Sequence, residues 1–214
     1  MFTVKKRKVR KLSNYYISDT HFGHANSIRF DAQNGGEGFS SIEERDKLII
    51  DNINKVVTPQ DNLYFLGDVS WYSPYQTYEL LSQISCNNRF LLIGNHDRWA
   101  KDGKCKKLFQ GIYDIKQIAD GNKQVVMSHF PQMMWTGQHR GVVHLYGHVH
   151  NTPEEYDYQY FLRTLDKRIA IRDKDRYRPL HAYNVGAMLP YMNYTPRTLN
   201  EIISKKFEKP IDNK

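Results

Sequence analysis

Phe90-Leu91-Leu92-Ile93-Gly94-Asn95-His96-Asp97 is the stretch from which the rest of the chain can be read. An apolar run stops abruptly at Gly-Asn-His-Asp. A short apolar run closed by turn residues is the pattern of a buried strand. The pattern recurs along the chain. Tyr15 to Ile17 leads into Ser18-Asp19, and Leu63 to Leu66 into Gly67-Asp68. Val125 to Met127 leads into Ser128-His129, and Val142 to Tyr146 into Gly147-His148-Val149-His150.

Helical signals lie between the early runs. Ser41 with Glu44 reads as a capping box ahead of Leu48, Ile49, Ile50, Ile53 and Val56. Ser73-Pro74 reads as a cap and a first-turn proline ahead of Tyr78, Leu80, Leu81 and Ile84. Thr195-Pro196 reads the same way ahead of Leu199, Ile202 and Ile203. Strands alternating with helices in the first half predict βα units, and the second half is more β-rich. The expectation is an α/β class with two sheets. Residues 151–180 read as a charged, tyrosine-rich insertion, open to a hairpin, a lid or a loop. Tyr156, Tyr158 and Tyr160 alternate as on one face of a strand.

The length of 214 residues allows one sizeable core. We expect a single domain over 1–214, with a basic arm at 1–11 and the insertion at 151–180. A hydrophobic share of 40% with 25% charged residues is that of a soluble globular chain. No apolar run approaches the roughly 20 residues that cross a bilayer, and the basic start lacks the apolar segment of a secretory signal. Cys86 and Cys105 make neither a metal-type pair nor a disulfide framework, so the cytoplasm is the expected compartment. The net charge of +8 is concentrated at Lys5, Lys6, Arg7, Lys8, Arg10 and Lys11, which read as a solvated arm. Such a surface favours polyanions.

The strand-end residues Asp19, His21, Asp68, Asn95, His129, His148 and His150 are of one chemical type. They offer oxygen or imidazole nitrogen and no thiolate, a set suited to Mn²⁺, Fe or Zn²⁺. In an extended segment, residues two apart face one side. That spacing lets Asp19 and His21 face one metal. It lets His148 and His150 face one cleft, each toward a different ion. Gly67, Gly94 and Gly147 let the backbone come close to a ligand.

The ordered series Ser18-Asp19-Thr20-His21, Gly67-Asp68, Gly94-Asn95-His96-Asp97, Ser128-His129 and Gly147-His148-Val149-His150 resembles the calcineurin-like metallophosphoesterase superfamily, with Asn184-Val185-Gly186 as a trailing element. The resemblance implies a four-layer sandwich, with two mixed β-sheets flanked by helices. It implies that Asp19, His21, Asp68 and His150 hold one divalent ion. Asp68, Asn95, His129 and His148 would hold a second, so that Asp68 bridges. Manganese is the favoured metal, with Fe, Zn, Ni or Mg as options. Two such ions roughly 3.5–4 Å apart activate a shared water as a hydroxide that attacks phosphorus.

His96 is the candidate general acid, since it follows a ligand directly and an imidazole titrates near physiological pH. His24 and Asp97 are candidates for touching substrate or bracing a ligand. His144 reads as a sheet residue, His139 as a loop residue, and His181 carries no separate signal. The protein serine/threonine phosphatases of this superfamily read Gly-Asp-x-x-Asp-Arg-Gly, whereas this chain reads Gly67-Asp68-Val69-Ser70-Trp71-Tyr72-Ser73. The phosphate-binding arginine of that branch is absent. The chain looks more like compact bacterial and phage phosphoesterases. The expected substrate is a nucleotide-type or other small phosphodiester or phosphomonoester. A DNA or RNA nuclease and a non-catalytic metal-binding scaffold are the alternatives.

Overall fold

A computed structural model of the protein describes residues 12–33, 38–172, 174 and 177–204. The expected arm at 1–11 lies outside the described residues.

Nine strands form two sheets. β1 (Asn14–Ile17), β2 (Asn62–Phe65), β3 (Asn88–Leu92) and β4 (Gly111–Tyr113) run parallel, and β9 (Arg197–Thr198) pairs antiparallel with β1. The order of this sheet is β4-β3-β2-β1-β9. The second sheet has the order β5-β6-β7-β8, from β5 (Ile115–Asp120), β6 (Lys123–Ser128), β7 (Val143–Tyr146) and β8 (His181–Asn184). Here β5 is antiparallel to β6, and the other pairs are parallel. The described residues also form six α-helices: α1 (Ser27–Gln33), α2 (Ile42–Val56), α3 (Pro74–Leu81), α4 (Gly103–Lys106), α5 (Pro153–Arg172) and α6 (Leu199–Ser204).

Alternation along the strands sets the layers, because neighbouring side chains point to opposite faces. Val125 and Met127 of β6 and Val143 and Leu145 of β7 share one core with Ile17, Leu63, Phe65 and Leu91 of the first sheet. Ile49, Ile50 and Ile53 of α2 and Leu81 of α3 join that core. Each of these side chains contributes about 1.5–3 kcal/mol by leaving water. Val126 and Tyr146 face the other way and pack with Tyr158 and Leu162 of α5. The result is two mixed sheets flanked by helices, as expected.

Ser41 caps α2 by accepting from the Glu44 N–H at 3.2 Å, but the Glu44 carboxylate turns to Ser40, not Ser41. Ser73 and Gln76 complete a full capping box on α3. Two expectations are corrected. Thr195-Pro196 does not open α6. The chain first spends Arg197 and Thr198 on the edge of the first sheet. Thr198 is then the cap, with its N–H donating to the Glu201 carboxylate at 2.8 Å. The segment after 151 is neither hairpin nor loop but the 20-residue helix α5. Tyr158, Leu162 and Ile169 are its buried stripe at helical spacing, while Tyr156 and Tyr160 are exposed. The three tyrosines therefore do not share a face.

Candidate metal centre

The parallel ladder of β1 and β2 continues beyond the strand ends. The Leu66 N–H donates to the Ile17 carbonyl at 2.8 Å, Asp19 to Gly67 at 3.0 Å, and His21 to Asp68 at 3.1 Å. The Ser18 N–H donates to the Val185 carbonyl at 2.9 Å, which ties the first sheet to the end of β8. Gly147 in turn donates to the His129 carbonyl at 2.9 Å. Loops from both sheets thus converge at one rim.

The backbone there is unusual. Asp19 (φ 52°), His21 (49°), Asp68 (52°), His148 (70°) and His150 (46°) are all left-handed. Among the described non-glycine residues only Asn193 and Tyr194 share that conformation. It costs on the order of 1 kcal/mol per residue, so its concentration in this one rim marks a site. It also corrects the expectation of extended segments at 19–21 and 148–150. Left-handed turns at both ends of each triplet, not strand alternation, orient these side chains. The close approach expected of the glycines is present: a Cβ on Gly94 would strike the Asp68 carboxylate, and one on Gly147 would strike Asp19.

The side chains gather into two groups. The ligand atoms of Asp19, His21 and His150 lie within 4.8 Å of one another, and so do those of Asp68, His129 and His148. In the first group, His21 Nε2 and His150 Nε2 stand 3.7 and 3.5 Å from Asp19 Oδ1. In the second, His129 Nε2 stands 3.4 Å from Asp68 Oδ2 and 3.1 Å from Asn95 Oδ1, which brings Asn95 to this group. His129 Nδ1 is 2.8 Å from the Leu66 carbonyl, so Nδ1 carries the hydrogen and Nε2 faces the group. His148 belongs to one group and His150 to the other.

Burial opposes ionisation of Asp19, but the neighbouring His150 and His21 outweigh it and hold its carboxyl well below the usual carboxylate range. Burial pushes His21 down to about 4, with His150 and Arg45 adding to the effect. His129 goes the other way. Its burial is overcome by the Asp68 hydrogen bond and the charges of Asp19 and Asp68, which raise it to about 9. His21 Nε2 is buried with no hydrogen-bond partner among the described residues. A buried, neutral, unpartnered imidazole nitrogen beside an ionised carboxylate suits a divalent cation. The donor set fits such a cation in both groups.

His96 lies beside the second group, and its N–H donates to Asp68 Oδ1 at 2.9 Å. Its exposed ring stacks on Trp71 at 4.4 Å. His24 stacks on the same indole at 4.6 Å and an interplanar angle of 9°. The cleft over both groups is lined by His24, Phe30, Trp71, His96 and Thr152 around the candidate ligands. Asp97 turns away from the cleft. It is buried and accepts from the N–H groups of Asp68, Val69 and Gly94 at 2.8–2.9 Å and from Trp99 Nε1 at 3.1 Å. It braces the loops after β2 and β3. His144 is a buried sheet residue, with Nε2 accepting from the Gln132 N–H at 3.1 Å. His139 and His181 lie outside both groups.

Two positions escape sequence reasoning. Trp71 offers no motif beyond its place three residues after Asp68. Arg45 is fully buried, bonds Asp31 Oδ2 at 2.8 Å and donates from Nη1 to the Thr20 carbonyl at 2.6 Å, between Asp19 and His21. Its one signal is a charge on the helical stripe that also carries Ile49 and Ile53.

The chain is similar to known proteins. The chain is 32% identical over 148 residues to an uncharacterised protein of Methanocaldococcus jannaschii, covering 67% of this chain and 73% of that one. It is 25% identical over 166 residues to the gene 66 protein of Mycobacterium phage L5, covering 65% and 78% of the two chains. The fold superposes on the crystal structure of a protein of unknown function from Aquifex aeolicus with a TM-score of 0.63 and 25% identity, over 91% of this chain and 99% of that one. The sequence profile of the calcineurin-like phosphoesterases matches residues 15–185, a span holding both groups of side chains. The chain belongs to the calcineurin-like phosphoesterase family.

Proposed function

We propose that the protein is a metal-dependent hydrolase of phosphate esters that works with two divalent cations, Mn²⁺ foremost. The observation that carries this reading is the convergence of Asp19, His21 and His150 beside Asp68, His129 and His148 at one rim. In this reading the first group and the second group with Asn95 each hold one ion, and Asp68 bridges them. Bound there, such a pair supplies the Lewis acidity that makes a nucleophile of water near neutral pH and neutralises phosphate oxygens.

The chain's own residues do the rest. Asp97 fixes the backbone of Asp68 and Gly94 through its accepted hydrogen bonds. The His96 imidazole, held flat against Trp71, donates its proton to the leaving oxygen. None of the described residues lining the cleft is lysine or arginine. A phosphodiester brings one negative charge and a phosphomonoester two, so a cleft without side-chain cations favours the diester. Two free buried thiols, Cys86 and Cys105, accord with a reducing cytoplasm.

The test is hydrolysis of bis- and mono-nitrophenyl phosphate by purified protein in Mn²⁺, before and after chelation. We expect turnover of the diester, its loss on chelation and its recovery on adding metal back. Turnover that survives complete metal removal would overturn the reading.

A further inference from the structure

Immediately after His96-Asp97 the chain reads Arg98-Trp99-Ala100-Lys101-Asp102-Gly103-Lys104-Cys105-Lys106-Lys107. Five basic residues stand there against one acid, whereas residues 12–204 as a whole hold as many acids as bases. The positive charge of the described chain is therefore local. All five cations are exposed, and the apolar members of the segment, Trp99, Ala100 and Cys105, are buried. The lysine and arginine ion pairs among the described residues are Arg45 with Asp31, Lys47 with Asp51, and Arg197 with Glu201, so none of the five forms an ion pair within 4.0 Å among the described residues. Asp102 is occupied, accepting from the N–H groups of Lys104 and Cys105 at 2.8 and 3.1 Å.

This face is continuous with the catalytic cleft on two sides. Arg98 follows His96 in one tight turn, with its N–H 2.7 Å from the His96 carbonyl. Trp71, which lines the cleft, leads through Tyr72 into α3. The helix α4 packs on the start of α3, with Cys105 Sγ donating to the Pro74 carbonyl at 3.2 Å. A groove between them is lined by Ser73, Pro74, Tyr75, Tyr78, Glu79, Asp102 and Lys104. Tyr75 is 70% exposed there, in the groove that Lys104 also lines.

We propose that this face guides a single-stranded nucleic acid into the cleft, with phosphates on Arg98, Lys101, Lys104, Lys106 and Lys107 and a base stacked on Tyr75. Exposed cations that track a backbone, interleaved with an exposed aromatic ring, are what strand binding without sequence preference requires. The arrangement also divides the charge sensibly. The cleft, which lacks side-chain cations, receives the one phosphodiester to be cut, and the flank holds its neighbours. The proposal rests on the phosphoesterase reading for its cleavage step, but not for binding.

The test is fluorescence anisotropy of the full chain with a labelled single-stranded oligonucleotide in chelator across a salt series, alongside hydrolysis of bis-nitrophenyl phosphate in Mn²⁺. The Lys101→Glu/Lys104→Glu/Lys106→Glu variant should bind more than about tenfold more weakly at 0.1 M salt. Its slope of log affinity against log salt should fall by about 2, the share of three phosphates on a single strand. The corresponding Lys→Gln variant should move both readings the same way. Tyr75→Ala should weaken binding with the slope unchanged. All three should hydrolyse the small diester as the wild type does. Unchanged affinity and slope in the charge variants would overturn the proposal. So would wild-type binding that vanishes on deleting residues 1–11 alone, or binding to anionic lipid vesicles without binding to the oligonucleotide. Small-ester turnover without strand binding sinks only this proposal. Strand binding that depends on the lysines, in a protein with no turnover, sinks only the proposed activity.

Discussion

The two groups of candidate ligands are built from the same residue types and are prepared in opposite ways. A buried cation stands behind the first: Arg45 holds the carbonyl of Thr20. A buried carboxylate stands behind the second: Asp97 holds the N–H groups of Asp68 and Val69. Burial drives His21 in the first group down to about 4, whereas the acids around His129 in the second hold it up at about 9. The second imidazole of each group moves the other way: burial lowers His148, and Asp19 raises His150 against its burial, so each group pairs one lowered imidazole with one raised.

The largest effects should separate the groups by metal content. If Asp68 bridges, Asp68→Asn weakens retention of both ions, and Asp19→Asn weakens only the first. Elemental analysis after dialysis reads the difference. Both should cost more activity than the roughly 100-fold carried by outer partners of a metal site. Equal loss of both ions in Asp19→Asn would erase the distinction. His96→Ala should lower kcat by about 10²–10⁴-fold, the share of a general acid, with metal content near that of the wild type. Metal loss matching that of Asp68→Asn would contradict the acid role.

The two braces should differ in stability. Arg45→Met leaves the buried Asp31 charge without its partner and should cost about 3–5 kcal/mol in denaturant unfolding. Asp97→Ala strands buried N–H groups, each costing about 1–3 kcal/mol, and its effect should fall on the second group. If Asp97→Ala left stability intact, the brace would be wrong.

The smallest effect is on the pH profile of the chelated protein. His129 is raised from 6.5 to about 9, so it contributes stability that is complete below pH 6.5 and lost as the pH climbs through 9. His21 is lowered from 6.5 to about 4, so its contribution is present above pH 6.5 and lost as the pH falls through 4. Each limb is worth at most about 3 kcal/mol. His129→Asn should flatten the alkaline limb and His21→Asn the acid one. A profile indifferent to both would break the contrast between the two imidazoles.

How much of this can be read from the sequence follows from what each feature depends on. The strands and their polar ends are legible because each is local: an apolar run and a stop. Ser73 and Pro74 are legible for the same reason. The true cap of α6 is not, because pairing of Arg197–Thr198 with Tyr15–Tyr16 decides it across the whole chain. Helix α5 is hidden by an alternation of tyrosines that competes with its wider stripe of Tyr158, Leu162 and Ile169. The seven candidate ligands carry their chemistry in their identities. The left-handed backbone of five of them has no sequence signature apart from the tolerance of Asp and His for it. Trp71 and Arg45 emerge only when distant loops meet.

Anomalous diffraction from crystals grown with Mn²⁺ tests the dinuclear centre most directly. Two peaks are expected, one among Asp19, His21 and His150 and one among Asp68, Asn95, His129 and His148, with Asp68 between them. A single peak, or none at these side chains in protein that still hydrolyses the diester, would contradict it.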